Sequence, residues 1–331
     1  MVKAAIIGIA GTELSGAEAE CLRAHGPAGV ILFGRNVADP VQLQALTTAL
    51  REVLPQEAVI MVDQEGGRVA RLRPPHWRGH PPAASIGRVF AASTEAGLRA
   101  AWLTGALIGT DCAAMGIDVA CAPVLDLRMA GAHDVVGDRA YAADIDDVAE
   151  LGRAVADGLL AAGVQPVGKH APGHGRALVD SHLHLPVVDA TDLAGDLLPF
   201  ARNIDLPWMM TAHIVYRVWD AEAPATLSAS VISDVIRGRI GYRGLLLSDD
   251  LAMQALIGTP AERATRALAA GCDVALYCPG DAAGNEEVLA VCPQLAPSAL
   301  ERVVAAKRLA RSRRLALDPV SLQRERDGIL G

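Results

Sequence analysis

Eight short apolar runs recur along this chain of 331 residues, and helical patterns separate them. Continuous apolar runs of this length are typical of parallel strands that are buried on both faces. The eight runs are Ala4–Ile9, Gly29–Phe33, Ala58–Val62, Val119–Val124, Val164–Gly168, Trp208–Thr211, Gly244–Ser248 and Val274–Tyr277. Eight alternating strands and helices favour a (β/α)8 barrel of the TIM type, with an open doubly wound sheet as the alternative.

The stretches between these runs carry helix signals. Asp39 is a candidate N-cap and Pro40 a candidate first residue for a helix over Pro40–Leu54. Further helices are predicted at Thr94–Met115, Asp144–Ala162, Ser230–Arg239 and Pro260–Ala270. No linker-like tract interrupts the pattern, so we expect one domain over residues 1–331 that includes a C-terminal helix at about 298–316.

Composition and charge restrict the partners of the chain. The net charge of −8 and the absence of a long basic run argue against nucleic-acid binding. Six cysteines without a C-x-x-C pair indicate free thiols in a reducing compartment. The apolar run after Lys3 is too short for a convincing signal peptide, and no segment is a secure transmembrane candidate. These features predict a cytoplasmic protein without a membrane partner.

Polar residues follow five of the apolar runs directly. In a barrel of this type the active site lies at the carboxyl ends of the strands, so these residues predict a site there. They are Asp63, Asp126, Lys169, His170, His213, Asp249 and Asp250. Purely structural roles are open for several of them. We favour a turn cap for Asp126, a core position for His213 and a helix N-cap for Asp250, but a position facing the barrel mouth for Asp249.

The segment Gly168–Pro186 holds four histidines, a lysine and an aspartate. Gly173 and Gly175 permit unusual backbone angles within it. A structural loop has little use for such side chains, and the length of the segment predicts a mobile loop that arches over the site.

These residues suit glycoside hydrolysis, which needs a carboxylate at the anomeric carbon and a proton donor for the leaving oxygen. Asp249 can supply the carboxylate, and His182, oriented by Asp180, can supply the proton. Four side chains can donate hydrogen bonds to the hydroxyl groups of a sugar: Arg68, Arg71, Lys169 and His170. Asp63 can accept hydrogen bonds from those hydroxyl groups.

Two alternatives remain open. A metal-dependent hydrolase on the same barrel would use histidines and a carboxylate as ligands. The candidate ligands are His170, His174, His182, His184, His213 and Asp249. The lack of an H-E-x-x-H motif and the cationic Lys169 beside His170 disfavour it. A non-catalytic sugar-binding barrel would make the same hydroxyl contacts, but it would leave Asp180 and His182 without a purpose.

Seven segments resemble the β-N-acetylhexosaminidases of glycoside hydrolase family 3, in their single-domain bacterial form. The most specific are KHAPGHG…DSHLHLP at Lys169–Pro186 and SDDLAM at Ser248–Met253. The others are Gly29–Gln42, Val62–Leu72, Ala122–Leu127, Gly137–Tyr141 and Met210–Tyr216. Two positions depart from the family pattern: Ala171 replaces an aromatic residue, and Tyr277-Cys278-Pro279 stands where a Cys-Asn pair is more usual.

The resemblance implies a retaining, exo-acting enzyme that removes terminal non-reducing N-acetylglucosamine and uses neither metal nor other cofactor. Asp249 matches the nucleophile of the family, and Asp180 with His182 matches its acid/base dyad. Five positions match residues that hold the sugar: Asp63, Arg71, Arg139, Lys169 and His170. The implied substrates are 1,6-anhydro-muropeptides in cytoplasmic peptidoglycan recycling. We expect a monomer or a weak dimer.

Overall fold

Eight parallel strands form a closed barrel in which the first strand, β1, pairs with the last, β10. The computed structural model describes residues 2–181 and 183–331. The barrel strands are β1 (Lys3–Gly8), β2 (Pro27–Leu32), β3 (Val59–Val62), β4 (Val119–Ala120), β5 (Gln165–Ala171), β7 (Trp208–Thr211), β9 (Leu245–Asp250) and β10 (Val274–Tyr277). Each contains part of one predicted run, so the barrel is confirmed and the open sheet is wrong. Two short strands, β6 (Val187–Val188) and β8 (Val215–Tyr216), pair outside the barrel.

Helices surround the barrel. They are α1 (Gly16–His25), α2 (Pro40–Val53), α3 (Ala83–Ala92), α4 (Thr94–Ala114), α5 (Ile145–Ala161), α6 (Ala194–Ala201), α7 (Pro260–Ala270), α8 (Ala282–Val291), α9 (Pro297–Arg313), α10 (Pro319–Leu330) and a π-helix over Val231–Arg239. The start of α2 is as predicted, because the Asp39 side chain accepts a hydrogen bond from the backbone N–H of Gln42 at 2.9 Å. Among the described residues, no helix is long and apolar enough to cross a membrane.

The barrel interior is filled almost entirely by aliphatic side chains, with Trp208 as its one large aromatic group. The Trp208 indole N–H donates to the Gln165 side chain at 2.8 Å, so its polar atom is satisfied inside the core. A second apolar layer lies between the strands and the helices. All six cysteines are free thiols, and five of them are buried. The rigid barrel built this way fixes the strand ends that carry the polar residues.

The C-terminal part contains one helix more than the sequence analysis predicted. Helix α10 packs against α3 and α4. Its Arg326 is buried, and the guanidinium donates to Nδ1 of His80 and to the carbonyl oxygen of Gly79, both at 3.1 Å. His80 in turn contacts Asp111 through Nε2 at 3.1 Å. Since Nδ1 accepts a hydrogen bond, His80 is held as the neutral Nε2–H form, and burial lowers its pKa.

Candidate active site

A cavity of about 260 Å³ lies at the carboxyl ends of the barrel strands. Ile31 and Phe33 at the end of β2, and Leu276 and Cys278 at the end of β10, form part of its wall. The polar side chains that line it are Asp63, Arg71, Arg139, Lys169, His170, His174, Ser181, Asp249 and Asp250. The cavity thus gathers all five predicted sugar-binding residues together with Asp249.

Two carboxylates and three cations form a continuous network, and all of them except Glu65 line this cavity. Asp63 accepts hydrogen bonds from Arg71 and from Lys169, both at 2.8 Å. Glu65 accepts two from Arg139, at 2.7 and 2.8 Å, and contacts the Lys169 Nζ at 2.5 Å. Lys169 therefore bridges the two carboxylates, and the side chains are fixed in place before any ligand enters.

Burial and mutual attraction have opposite effects on the protonation of this network. Burial by itself favours the neutral form of each group, but the opposite charges outweigh it. The pKa of Glu65 is consequently held far below its usual range by Arg139 and Lys169. The pKa of Lys169 is raised by Asp63 and Glu65, and that of Arg139 is raised chiefly by Glu65. At neutral pH Glu65, Lys169 and Arg139 are therefore charged.

Asp126 lies behind the cavity wall and holds the first part of the histidine-rich loop. Its fully buried carboxylate accepts hydrogen bonds from the backbone N–H groups of His170 and His174, at 3.1 and 2.6 Å. Its other oxygen contacts Nδ1 of His170 at 2.7 Å. Burial opposes its charge, but His170 and these hydrogen bonds lower the pKa of Asp126. The favoured role as a turn cap is therefore wrong, because Asp126 orients a histidine of the site.

The two aspartates at the end of β9 have different surroundings. The carboxylate of Asp250 binds backbone groups: it accepts hydrogen bonds from the N–H groups of Ala252 at 2.9 Å and Cys278 at 3.0 Å. Burial raises its pKa. β9 is followed by a turn, so the helix N-cap favoured for Asp250 is wrong. Asp249 lines the cavity, and its Oδ1 accepts a hydrogen bond from the Asp250 N–H at 2.8 Å.

A closed chain of hydrogen bonds fixes the backbone around Asp249. The Asp249 N–H donates to the Thr211 hydroxyl at 3.3 Å, and the Thr211 and Thr226 hydroxyls are 2.8 Å apart. The Thr226 hydroxyl contacts Nδ1 of His213 at 2.8 Å, and Nε2 of His213 contacts the Asp250 carbonyl oxygen at 2.9 Å. Burial lowers the pKa of His213. His213 is the core histidine that was favoured, yet it helps to hold the strand end that carries Asp249.

The histidine-rich loop, Gly168–Pro186, packs closely against neighbouring backbone in its first part. Gly173 has a φ of +133°, and a Cβ on Gly175 would lie 2.2 Å from the Leu127 carbonyl oxygen, so both positions favour glycine. Nε2 of His174 contacts the Ser181 hydroxyl at 2.9 Å, which links the two arms of the loop. Burial and the charge of His170 lower the pKa of His174 to about 4. The loop therefore folds over the cavity with a neutral histidine inside.

The proposed dyad is described in part. Asp180 is half-buried, and its carbonyl oxygen accepts hydrogen bonds from the backbone of Leu183 and His184, which form a turn. His182 lies outside the described residues. Ser181, between the two, lines the cavity. Ser181 is therefore the described residue of this segment that reaches the cavity.

Two buried N–H or ring nitrogen atoms at the cavity have no hydrogen-bond partner among the residues that the structure describes. They are Nε of Arg71 and Nδ1 of His174. Buried polar atoms are almost always paired, so such atoms in a cavity indicate contacts to a ligand or solvent. The Arg71 guanidinium also lies over the Phe33 ring, 5.2 Å from the ring centre. This contact helps to fix the direction in which Nε of Arg71 points.

Some features of the site differ from the sequence-based predictions. Arg68 points away from the cavity, donating to the carbonyl oxygen of Val135 at 2.8 Å. Glu65 was given no role, although it follows Asp63 by two residues in the same strand-end segment. Of the candidate ligands in the metal alternative, His170, His174 and Asp249 line the cavity, but no three of the described candidates have ligand atoms within 4.8 Å of one another. Among the described residues, the one group of three metal-ligating side chains with ligand atoms within 4.8 Å of one another lies elsewhere.

The two departures from the family pattern lie in defined places. Ala171 is fully buried at the end of β5 and pairs with Thr211. Cys278 lines the cavity, and Tyr277 donates from its hydroxyl to Asp281 at 2.9 Å. Ala171 is thus a core position beside the loop, whereas Cys278 is in reach of a ligand.

The closed barrel and a cavity lined by aspartates, cations and histidines define an enzyme of the TIM-barrel class with a site for a small polar molecule. Comparison with known proteins narrows this class. Residues 2–311 match the sequence profile described as the glycosyl hydrolase family 3 N-terminal domain. The chain belongs to glycosyl hydrolase family 3.

Its relatives specify the type of hydrolase. A beta-hexosaminidase of Bordetella parapertussis is 40% identical over 82% of this chain and 79% of its own length. A beta-hexosaminidase of Aromatoleum aromaticum is 37% identical over 96% of this chain and 90% of its own length. The solved NagZ of Neisseria gonorrhoeae, in complex with N-trifluoroacetyl-D-glucosamine, has a TM-score of 0.88 at 30% identity and covers 99% of this chain and 98% of that one. The chain is a glycoside hydrolase of the β-hexosaminidase type.

Proposed function

We propose that this enzyme is an exo-acting, retaining β-N-acetylhexosaminidase that removes terminal non-reducing N-acetylglucosamine from β-linked substrates. The observation that carries the proposal is the position of Asp249 at the end of β9, in a cavity of about 260 Å³ lined by ionised groups. A space of this size suits one sugar unit better than a long chain. The related enzyme named NagZ holds an N-acylated glucosamine, which supports the same class of sugar here.

In the proposed mechanism, Asp249 attacks the anomeric carbon while the glycosidic bond breaks. His182, assisted by Asp180, donates a proton to the leaving oxygen, so the aglycone departs as a neutral alcohol. The products of this step are a covalent glycosyl-enzyme and the free aglycone. His182 then takes a proton from a water molecule that attacks the anomeric carbon, which releases Asp249. Two inversions at one carbon give net retention.

The charged network supplies the contacts to the sugar. Asp63 accepts hydrogen bonds from hydroxyl groups, and Arg71, Arg139, Lys169 and His170 donate them. Because these side chains already hold one another, little conformational entropy is lost when the sugar binds. The proposed reaction uses no metal ion or cofactor, since every step uses side chains alone.

The natural substrate is proposed from the family resemblance. We place the enzyme in peptidoglycan recycling, with muropeptides bearing 1,6-anhydro-N-acetylmuramic acid as aglycones, in the cytoplasm, as a single catalytic domain that is a monomer or weak dimer. A comparison of kcat/KM for such a fragment and for a chitin disaccharide tests this part. Equal values would contradict a site adapted to muropeptides.

The nucleophile is tested by trapping. The enzyme is treated with a slow fluorinated N-acetylglucosaminide, digested and analysed by mass spectrometry. We expect the added glycosyl mass on the peptide at Asp249, and we expect Asp249→Ala to fold normally but lose turnover of an aryl N-acetyl-β-glucosaminide. Asp250→Asn serves as the neighbouring control for the position of the label. A label on another residue, or near-normal turnover by Asp249→Ala, would remove Asp249 from the mechanism.

The acid role is tested with leaving groups. A good leaving group needs little protonation, so His182→Ala should slow substrates with poor leaving groups far more than activated aryl substrates. Equal losses would contradict the assignment. The metal alternative predicts that exhaustive chelation abolishes activity, and the sugar-binding alternative predicts no steady turnover at all.

A further inference from the structure

Three side chains of metal-ligating type lie together between α1 and α8, and none of them lines the active-site cavity. Cys21 and His25 are one helical turn apart on α1, a spacing that places both on the same helix face. Glu286 on α8 faces them. Its two oxygens lie 3.6 Å from Sγ of Cys21 and 3.0 Å from Nε2 of His25. We propose that Cys21, His25 and Glu286 bind a zinc ion.

The distances suit tetrahedral zinc. Bonds from zinc to sulfur, nitrogen and oxygen of about 2.0–2.3 Å place the ligand atoms of a tetrahedron about 3.3–3.7 Å apart. Cys21 Sγ lies 3.6 Å from Oε2 of Glu286 and His25 Nε2 lies 3.0 Å from Oε1, and one ligand atom from each of the three residues lies within 4.8 Å of the others. An ion can enter with small side-chain movements and leave its fourth position to water.

The chemistry of the three ligands also suits zinc. A thiolate, an imidazole and a carboxylate are the three ligand types that zinc uses in proteins, and their charge of −2 neutralises the ion. Zinc binds the thiolate form of cysteine, so the ion displaces a proton from Cys21 when it binds. Cys21 is the partly exposed member of the six cysteines, and Glu286 is more than half exposed, so an ion in solution can reach the group.

The position of the site gives it a structural consequence. Helix α1 follows the first barrel strand and α8 follows the last, and these two strands pair to close the barrel. An ion held by Cys21, His25 and Glu286 would therefore link the two helices across the seam of the barrel. Because it would bind the folded protein in preference to the unfolded chain, it would raise the thermal midpoint with the logarithm of its concentration above the dissociation constant.

Cobalt substitution tests the proposal, because Co²⁺ bound to a thiolate gives a sulfur-to-metal charge-transfer absorption band. Titration of the whole protein with Co²⁺ should produce this band with one equivalent, and Zn²⁺ should remove it. Cys21→Ser should abolish the band, and His25→Gln should weaken Zn²⁺ binding at least about 100-fold in equilibrium dialysis. His76→Gln, at an exposed histidine elsewhere, is the control and should bind like the unaltered protein.

Circular dichroism spectra establish that each variant is folded, and hydrolysis by the metal-free protein should be the same in all of them. This separates the metal site from the proposed catalytic residues, since neither result depends on the other. The proposal is overturned if the unaltered protein shows no charge-transfer band. It is equally overturned if Cys21→Ser retains the band or binds Zn²⁺ with unchanged affinity, because the ion would then use other ligands such as the active-site histidines.

Discussion

Replacing Asp126 with asparagine keeps the size of the side chain but removes its charge, so it tests whether Asp126 orients His170. The asparagine amide oxygen can still accept the two backbone hydrogen bonds from His170 and His174 that Asp126 now accepts at 3.1 and 2.6 Å. The amide NH2 group, however, would face Nδ1 of His170 at the 2.7 Å contact. Two donors cannot share that contact, so His170 must change its tautomer and lose a negatively charged partner.

The expected magnitude follows from this exchange. A hydrogen bond to a buried charge contributes about 1.5–3 kcal/mol, and a neutral one contributes about 0.5–1.5 kcal/mol. Asp126→Asn should therefore lower the free energy of unfolding by about 1–2 kcal/mol and lower kcat/KM about 10- to 100-fold. Asp126→Ala would leave three buried donors unsatisfied at about 1–3 kcal/mol each, which is enough to threaten folding. The asparagine variant is thus the informative one.

The matched control is Asp111→Asn, because Asp111 is also a buried aspartate paired with a histidine. It contacts Nε2 of His80 at 3.1 Å, away from the cavity. Both variants should lose similar stability in urea unfolding, but Asp126→Asn alone should lose activity on an aryl N-acetyl-β-glucosaminide. Unchanged kcat/KM in folded Asp126→Asn, or an equal loss of activity in Asp111→Asn, would refute the role given to Asp126.

The difference in stability between the unaltered enzyme and Asp126→Asn should depend on pH in a defined way. The folded-state pKa of Asp126 lies below its ordinary value of 3.8, so its contribution to stability is complete above that value. The contribution is lost as the pH falls through the folded-state pKa. The stability difference between the unaltered enzyme and Asp126→Asn should therefore be constant from pH 8 to about pH 5 and shrink below about pH 4. A difference that shrinks near neutral pH would contradict this.

Three further perturbations test other parts of the site. Glu65→Gln removes the negative charge that pairs with Lys169 and Arg139, so kcat/KM should fall at least about tenfold. Steady-state kinetics like those of the unaltered enzyme would show that the network is dispensable. Thr226→Val opens the hydrogen-bonded chain behind the strand end, and we expect kcat to fall about tenfold with little change in KM; an unchanged kcat would count against positioning. Because burial depresses the pKa of His174 to about 4, the folded protein should lose on the order of 1 kcal/mol of stability per pH unit between pH 6.5 and pH 4. His174→Gln should reduce that slope, and an identical slope in urea unfolding at several pH values would show that other groups set it.

The barrel was predictable because its strands are apolar on both faces, so each one is a continuous run in the sequence. Several helices were not, because they pack through small or charged residues. Helix α10 has Arg326 as its buried residue, and no pattern of apolar residues reveals such a contact. Helix α1 buries Leu22 alone. The additional helices therefore follow from tertiary contacts and not from local pattern.

In the active site, too, some features follow from local sequence and others follow from tertiary contacts. The carboxyl ends of the strands meet at one rim, so the sequence alone predicts that Asp63, Lys169, His170 and Asp249 lie together, as they do in the cavity. The partners of these residues depend on side-chain pairing between distant segments. Asp126 is separated by 44 residues from His170, and nothing local distinguishes it from a turn cap.

The pairing of β1 with β10 has a consequence for the synthesis of the protein. Roughly 265 residues separate these two strands, and a ribosome adds about 5–20 residues per second, so β1 is made tens of seconds before its partner. During that interval one edge of the nascent sheet has no strand beside it and is open to aggregation. The enzyme should therefore depend on chaperones while it is being translated, more than its compact final form suggests.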